Sequence, residues 1–293
     1  MKNLARHGLN VFRGWLIGLA EILPGVSGGT VALIVGVYES LIHGLATSSK
    51  GLLALVSLRL AAASSSFRQI RWSLIMPVGL GMLAGILIGA AVLSEVLENY
   101  PIQARAVFAG LISASLLVPI RLVGSSWSPA LIGMAAASAF LSFTLSGVPG
   151  LNFPTSSPIW IVVAAAAAAC ALILPGVSGA YLLMSFGLYE QTLGALQDIN
   201  LGYMAVFALG VLVGLGFFSR ALQWLLNRHY ATTLAVMTGL MAGALRGLWP
   251  WRGENSEFLP VGDNYLTIAA FALAGAFAAL AAILAPHFLG QRR

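Results

Sequence analysis

Ile22-Leu23-Pro24-Gly25-Val26-Ser27-Gly28 reads ILPGVSG, and Ile173-Leu174-Pro175-Gly176-Val177-Ser178-Gly179 repeats it letter for letter, 151 residues later. At the same offset Gly36 meets Gly187, Tyr38 meets Tyr189 and Glu39 meets Glu190. Further on, Gly81 and Gly85 match Gly210 and Gly214, and Gly110-Leu111 matches Gly239-Leu240, now 129 residues apart. Self-similarity at fixed offsets marks a duplicated architecture. The chain therefore divides into a first half, 1–150, and a second half, 151–293, with about 22 extra residues between Glu39 and Gly81. The extra stretch, about 46–72, is polar and basic and reads as a cytoplasmic interfacial helix.

Composition fixes the solvent. Only 8% of the 293 residues are charged and 59% are hydrophobic, with a mean hydropathy of +0.92. A soluble domain carries about 25% charged residues, because its surface needs polar cover. These values exclude a soluble enzyme, a disordered chain and a nucleic-acid binder, and they leave a polytopic membrane protein. One cysteine, Cys170, excludes a disulfide framework and a thiolate metal site. His7, His43, His229 and His287 lack metal-ligand spacing, so neither cofactor nor metal is expected. Lys2, Arg6 and Arg13 ahead of an apolar stretch resemble a signal peptide, but the same stretch recurs in mid-chain.

Six apolar stretches are long enough to cross about 30 Å of hydrocarbon. They lie near 73–94, 104–121 and 129–147 in the first half and 203–226, 231–248 and 265–286 in the second. The arm before each PGVSG is shorter. Residues 12–23 reach about 18 Å as a helix, and Pro24-Gly25 then ends it. Arm, break and second arm read as a re-entrant hairpin, which needs protein or water to satisfy its exposed backbone. Two full spans per arm pair give the same parity and stay open.

Charge tests the topology. If each hairpin enters and leaves on one face, each half crosses three times and the two halves are inverted. With the termini inside, the inner segments hold 12 of the 15 basic residues, and the outer ones hold Arg105, Arg246 and Arg252. Six of the nine acids (Glu95, Glu98, Asp198, Glu254, Glu257 and Asp263) also fall outside. That is the positive-inside pattern. The expected fold is an all-α polytopic membrane protein of two inverted repeats, each a re-entrant or broken helix hairpin plus three transmembrane helices. Secondary transporters are built this way, with the site where the repeats meet near the midplane.

Each break should start a helix whose first N–H groups lack partners. Gly25, Gly28 and Gly29 let a ligand approach the backbone, Ser27 and Thr30 add hydroxyls, and the helix start favours an anion. Pro175, Gly176, Ser178 and Gly179 repeat the pattern, with Ala180 and Tyr181 replacing Gly29 and Thr30. The alternative reading is structural: Ser27 and Ser178 cap helices and the glycines permit packing. Glu21, Glu39 and Glu190 are the acids within or beside the apolar arms, and such residues are functional candidates by default. Glu39 and Glu190 either carry protons, hold the hairpin by bonding to the break, or sit at the hairpin mouth. Glu21 has Leu172 as its counterpart, with Arg13 as a candidate partner. Arg246 departs from the charge rule and either binds phosphate or snorkels to the interface. Trp249 and Trp251 read as an interfacial anchor.

ILPGVSGGT followed by GVYE, then ILPGVSG followed by GLYE, with GLMAGALRGLWPW at 239–251, resembles the DUF368 family of bacterial polyprenyl-phosphate transporters over nearly the whole chain. The resemblance implies a multi-pass protein of the bacterial inner membrane, with cytoplasmic termini, that is not an enzyme. Its substrate would be the lipid carrier undecaprenyl phosphate, returned from the outer to the inner leaflet for reuse in cell-envelope synthesis. It carries the substrate role to Pro24, Gly25, Ser27, Gly28, Gly29, Thr30, Pro175, Gly176, Ser178, Gly179 and Arg246. Glu21, Glu39 and Glu190 are the candidates for coupling or gating, and the proton-coupling hypothesis is placed on Glu39 or Glu190. The family often has Asp where this chain has Glu21. Two other classes remain: a carrier or channel for a soluble anion, and an intramembrane serine hydrolase using the GxSG of Gly25–Gly28, which needs a base for Ser27.

Overall fold

Glycines set how the helices pair. The computed structural model describes residues 2–22, 27–146, 157–177, 179–253 and 257–288. The first half forms α1 (Lys2–Ile22), α2 (Gly28–Ile34), α3 (Tyr38–Val56), α4 (Leu60–Gln69), α5 (Trp72–Asn99), α6 (Pro101–Ser115), α7 (Leu117–Val123) and α8 (Pro129–Leu145). The second forms α9 (Pro158–Ile173), α10 (Gly179–Ser185), α11 (Tyr189–Gln197), α12 (Leu201–Arg228), α13 (Tyr230–Ala244) and α14 (Tyr265–Phe288), with a 3₁₀ turn at Leu245–Leu248. Among the described residues there is no strand, only one antiparallel bridge between Arg252 and Phe258.

A β-carbon at Gly81 would strike the carbonyl of Val11, and one at Gly85 that of Trp15, so α5 lies directly on α1. The contact recurs in the second half, where Gly210 faces the carbonyl of Val162 and Gly214 that of Ala166. Val11 and Val162 are 151 residues apart, as are Trp15 and Ala166. Small residues at four-residue spacing let backbones approach to van der Waals contact, the main source of helix association in lipid. The registers advance together, so α1 runs parallel to α5 and α9 parallel to α12. Each chain segment must therefore return to its starting face before α5 or α12 begins.

Other pairs cross between the halves. Gly239 and Gly243 of α13 lie against the carbonyls of Ala135 and Ala139 of α8, again in parallel. Ser138 and Ser142 donate to the carbonyls of Val236 and Leu240 at 3.1 and 2.9 Å. Gly110 of α6 meets the carbonyl of Ala272 of α14 in the same way.

Burial runs opposite to that of a soluble domain. Phe140, Phe217 and Phe277 are 71%, 76% and 75% exposed, whereas Thr30 and Ser115 are fully buried and hydrogen-bonded. Apolar side chains face outward because the surrounding solvent is lipid, and polar ones turn in to find partners. Trp72–Gly89, Pro101–Ser126, Leu201–Arg228 and Tyr230–Leu248 are long and apolar enough to cross a membrane. The other two expected spans are also helical, α8 and α14, but α8 has 17 residues and reaches only about 25 Å.

Two local readings need correction. The second arm of each hairpin is not one helix. α2 stops after seven residues at Gly36, φ +72°, and α10 stops at Gly187, φ +71°. Val37 N–H bonds the carbonyl of Ala32 at 3.0 Å, and Leu188 N–H that of Leu183 at 2.9 Å. These six-to-one bonds close a Schellman motif, whose left-handed position suits glycine and whose next residue is apolar. Val37 and Leu188 are accordingly buried. The extra segment of the first half also differs from a single interfacial helix. Its first part extends α3 to Val56, a turn follows at Ser57–Leu58, and only then does α4 begin.

Candidate functional site

α9 ends at Ile173, leaving its last carbonyls without intrahelical partners, while α2 begins at Gly28 with free N–H groups. The fold brings these two ends together. Ser27, extended at φ −114° and ψ 131°, caps α2: its Oγ accepts from Gly29 N–H at 3.2 Å. The same hydroxyl donates to the carbonyl of Leu174 at 2.9 Å. Thr30 Oγ1 accepts from Gly176 N–H at 3.1 Å, and Tyr38 donates to the carbonyl of Ile173 at 3.0 Å. The first half thus supplies hydroxyls, and the second supplies two carbonyls and one N–H. Ser27, Thr30 and Tyr38 are all buried.

The approach depends on glycine. A β-carbon at Gly29 would lie 2.8 Å from the carbonyl oxygen of Ile173. Gly176 adopts φ +83°, and a β-carbon there would lie 2.5 Å from the Cα of Met241 on α13. One at Gly179 would lie 2.7 Å from the carbonyl oxygen of Ala168 on α9.

Glu21 completes the cluster. Its Oε2 accepts from Gly28 N–H at 3.1 Å. Thr30 N–H bonds the carbonyl of Ser27 at 2.9 Å. Every N–H at the start of α2 that was expected to face a ligand therefore has an internal acceptor. One of those acceptors is a carboxyl oxygen of Glu21, so the place at Gly28 is already held by an acid's oxygen.

The other expected residues are dispersed. Pro175 is buried within the contact. Pro24, Gly25 and Ser178 lie outside the described residues, as do the side chains of Ala180 and Tyr181. Glu39 and Glu190 begin α3 and α11, beyond the second break of each hairpin, and among the described residues neither bonds the PGVSG contact. Glu39 accepts from Tyr230 at 2.9 Å, and Glu190 is exposed. Arg13 donates to Asn10 at 3.2 Å and does not pair with Glu21. Arg246 lies at the far end of α13, with its guanidinium carbon 4.7 Å from the Phe143 ring and 5.4 Å from that of Phe258. Met241, against Gly176, is five residues away, or about 7–8 Å along the axis. Ser27 has a carbonyl as acceptor and a backbone N–H as donor, the arrangement of a cap and not of an activated nucleophile. Among the described residues, no three of His, Cys, Asp and Glu converge as a metal site.

Tyr38 was visible in the sequence only as part of the repeat. Its tail position in GVYE and GLYE was the available signal, but its partner, a helix-terminal carbonyl in the other half, was not.

The family profile described as "Undecaprenyl phosphate translocase-like" matches residues 17–262. The chain is similar to a polyprenyl-phosphate transporter of Vibrio cholerae, with 32% identity over 240 residues, covering 82% of this chain and 77% of that protein. It is also similar to a polyprenyl-phosphate transporter of Staphylococcus aureus, with 26% identity over 268 residues, covering 84% and 88%. No solved structure matches.

Proposed function

The chain belongs to the undecaprenyl phosphate translocase-like family, and from that membership we propose that it carries a polyprenyl phosphate across the bacterial cytoplasmic membrane. The cargo is undecaprenyl phosphate, moved from the outer to the inner leaflet for reuse in envelope synthesis. Its phosphate head crosses between two inverted halves while its tail stays in lipid. The parallel run of α8 with α13, alongside short connections at Tyr100 and His229, supports the inversion.

The observation that carries the proposal is Glu21 on the Gly28 N–H, inside the contact between the two breaks. A helix start that holds a carboxylate oxygen can hold a phosphate oxygen by the same geometry. The head therefore competes with Glu21. Protonating Glu21 removes its charge, weakens its bond to Gly28 and leaves the N–H to the phosphate. Coupling runs through Glu21, which among the described residues is the acid of the three that bonds the start of α2. The start of α2 and the end of α9 line this site, and rocking of the halves opens it to each leaflet in turn.

Reconstituted vesicles carrying a polyprenyl phosphate test this. The wild type should clear the lipid from one leaflet, faster when the loading side is acidic. Glu21→Gln, fixed in the neutral state that yields the N–H to phosphate, should lose that pH dependence. It should bind the lipid about tenfold more tightly, the value of one charge-assisted hydrogen bond of about 1.5 kcal/mol, and turn over more slowly because no charge returns to displace it. Unaltered pH dependence in the variant overturns the coupling role of Glu21. Transport of a water-soluble phosphate ester in preference to the lipid would replace the lipid reading with that of a soluble-anion carrier.

A further inference from the structure

Three arginines depart from the positive-inside distribution, Arg105, Arg246 and Arg252, and the fold gathers all three in one place. Arg105, near the start of α6, donates to the carbonyls of Pro250 and Arg252 at 3.5 and 3.3 Å. Arg252 donates to the carbonyls of Gly247 and Ser146 at 3.1 and 3.3 Å. Arg246 donates to the carbonyl of Phe143 at 3.0 Å. Phe143 and Ser146 are three residues apart at the end of α8, so the Arg246 and Arg252 guanidiniums stand within about one helical turn.

Capping of α8 accounts for part of this. Cations near a helix C-terminus bond its last carbonyls. It does not account for Arg105 and Arg246 on the face where basic residues are disfavoured. Among the described residues, Arg105 and Arg246 bond only to backbone carbonyls, so neither has its charge balanced by an acid. Glu257, the described acid on this loop, is exposed and lies against Gly253. Arg246 is also held for use. Its plane is flanked by Phe143 and Phe258, and its Nε is buried without a partner. A guanidinium has five donors and binds phosphate through two at once. A buried donor left unbonded is costly, and a phosphate oxygen would satisfy it.

We propose that Arg105, Arg246 and Arg252 form a phosphate-binding basin at the outer face, where the head of a lipid phosphate docks before it enters the break. Trp249 and Trp251 set the depth. Their rings pack edge to face at 5.6 Å beside the basin, and paired tryptophans mark the headgroup level of a bilayer. A lipid phosphate presents its charge at that level. The basin rests on the transport reading for its place in the sequence of events, while the binding itself does not.

The test uses the full chain in nanodiscs containing a polyprenyl monophosphate, with neutral polyprenol nanodiscs and dissolved inorganic phosphate as the other arms. Lipid phosphate should bind the wild type, and binding should weaken as salt rises. R105Q and R246Q should each weaken it by about tenfold or more, and should raise the transport KM far more than they lower the maximal rate. R105K, which keeps the charge, should recover most of the affinity and controls for misfolding. Binding unchanged in both Gln variants overturns the basin. Inorganic phosphate bound as tightly as the lipid overturns the lipid assignment. Loss of binding in the variants of a wild-type protein that moves no lipid would leave the basin standing and remove the transport reading.

Discussion

Thr30 is fully buried and accepts the Gly176 N–H, one of the bonds that join the two halves. Thr30→Val keeps the shape and removes the acceptor. The Gly176 N–H is then buried and unbonded, at a cost of about 1–3 kcal/mol. Thermal unfolding of the purified variant should show a clear fall in Tm, with Thr30→Ser close to wild type. At this scale the sequence was partly legible. Ser27 follows a proline-glycine break and precedes an apolar run, so its capping role can be read from position alone. Glu21 stood out because an acid in an apolar arm demands a partner. The identity of that partner did not follow. Arg13 is eight residues from Glu21 and turns instead to Asn10, three residues before it on the same helical face.

Glycines that look alike in the repeat differ at the level of the element. Gly36 and Gly176 both adopt positive φ, +72° and +83°. Nothing lies within 4 Å of a β-carbon at Gly36, whereas one at Gly176 meets the backbone of Met241. Gly36→Ala should cost about 1 kcal/mol, the left-handed penalty alone. Gly176→Ala adds a clash with backbone that cannot rotate away, so it should cost more and also reduce transport. Unfolding curves and transport rates of the two variants check the contrast. The pause at Gly36 escaped the sequence reading because a lone glycine in a helical pattern is tolerated. Its Schellman bonds form only when Val37 finds a buried site. The offset between repeats, by contrast, carried real packing information: the glycines matched at 129 residues meet partners matched at 151.

For the whole molecule, orientation is the quantity to measure. In a Cys170→Ala background, Asp263→Cys should react with a membrane-impermeant maleimide on intact cells. Ser125→Cys should react only after permeabilisation; both positions are exposed. The opposite pattern would overturn the inverted arrangement and, with it, the outer placement of the arginine basin. The sequence by itself determined the membrane as solvent, the duplication, the hairpin breaks and the bias of charge between faces. These are sums or local periodicities along the chain, and lipid and the translocation machinery read them one segment at a time. The tertiary structure decided which helices pair across the halves, that the start of α2 docks on the end of α9, that Glu21 holds the start of α2, and that three arginines from two halves come together. Apart from the Glu21 bond, which spans seven residues, those contacts join residues about 100 to 160 positions apart, and they depend on the angle and register at which glycine faces lock.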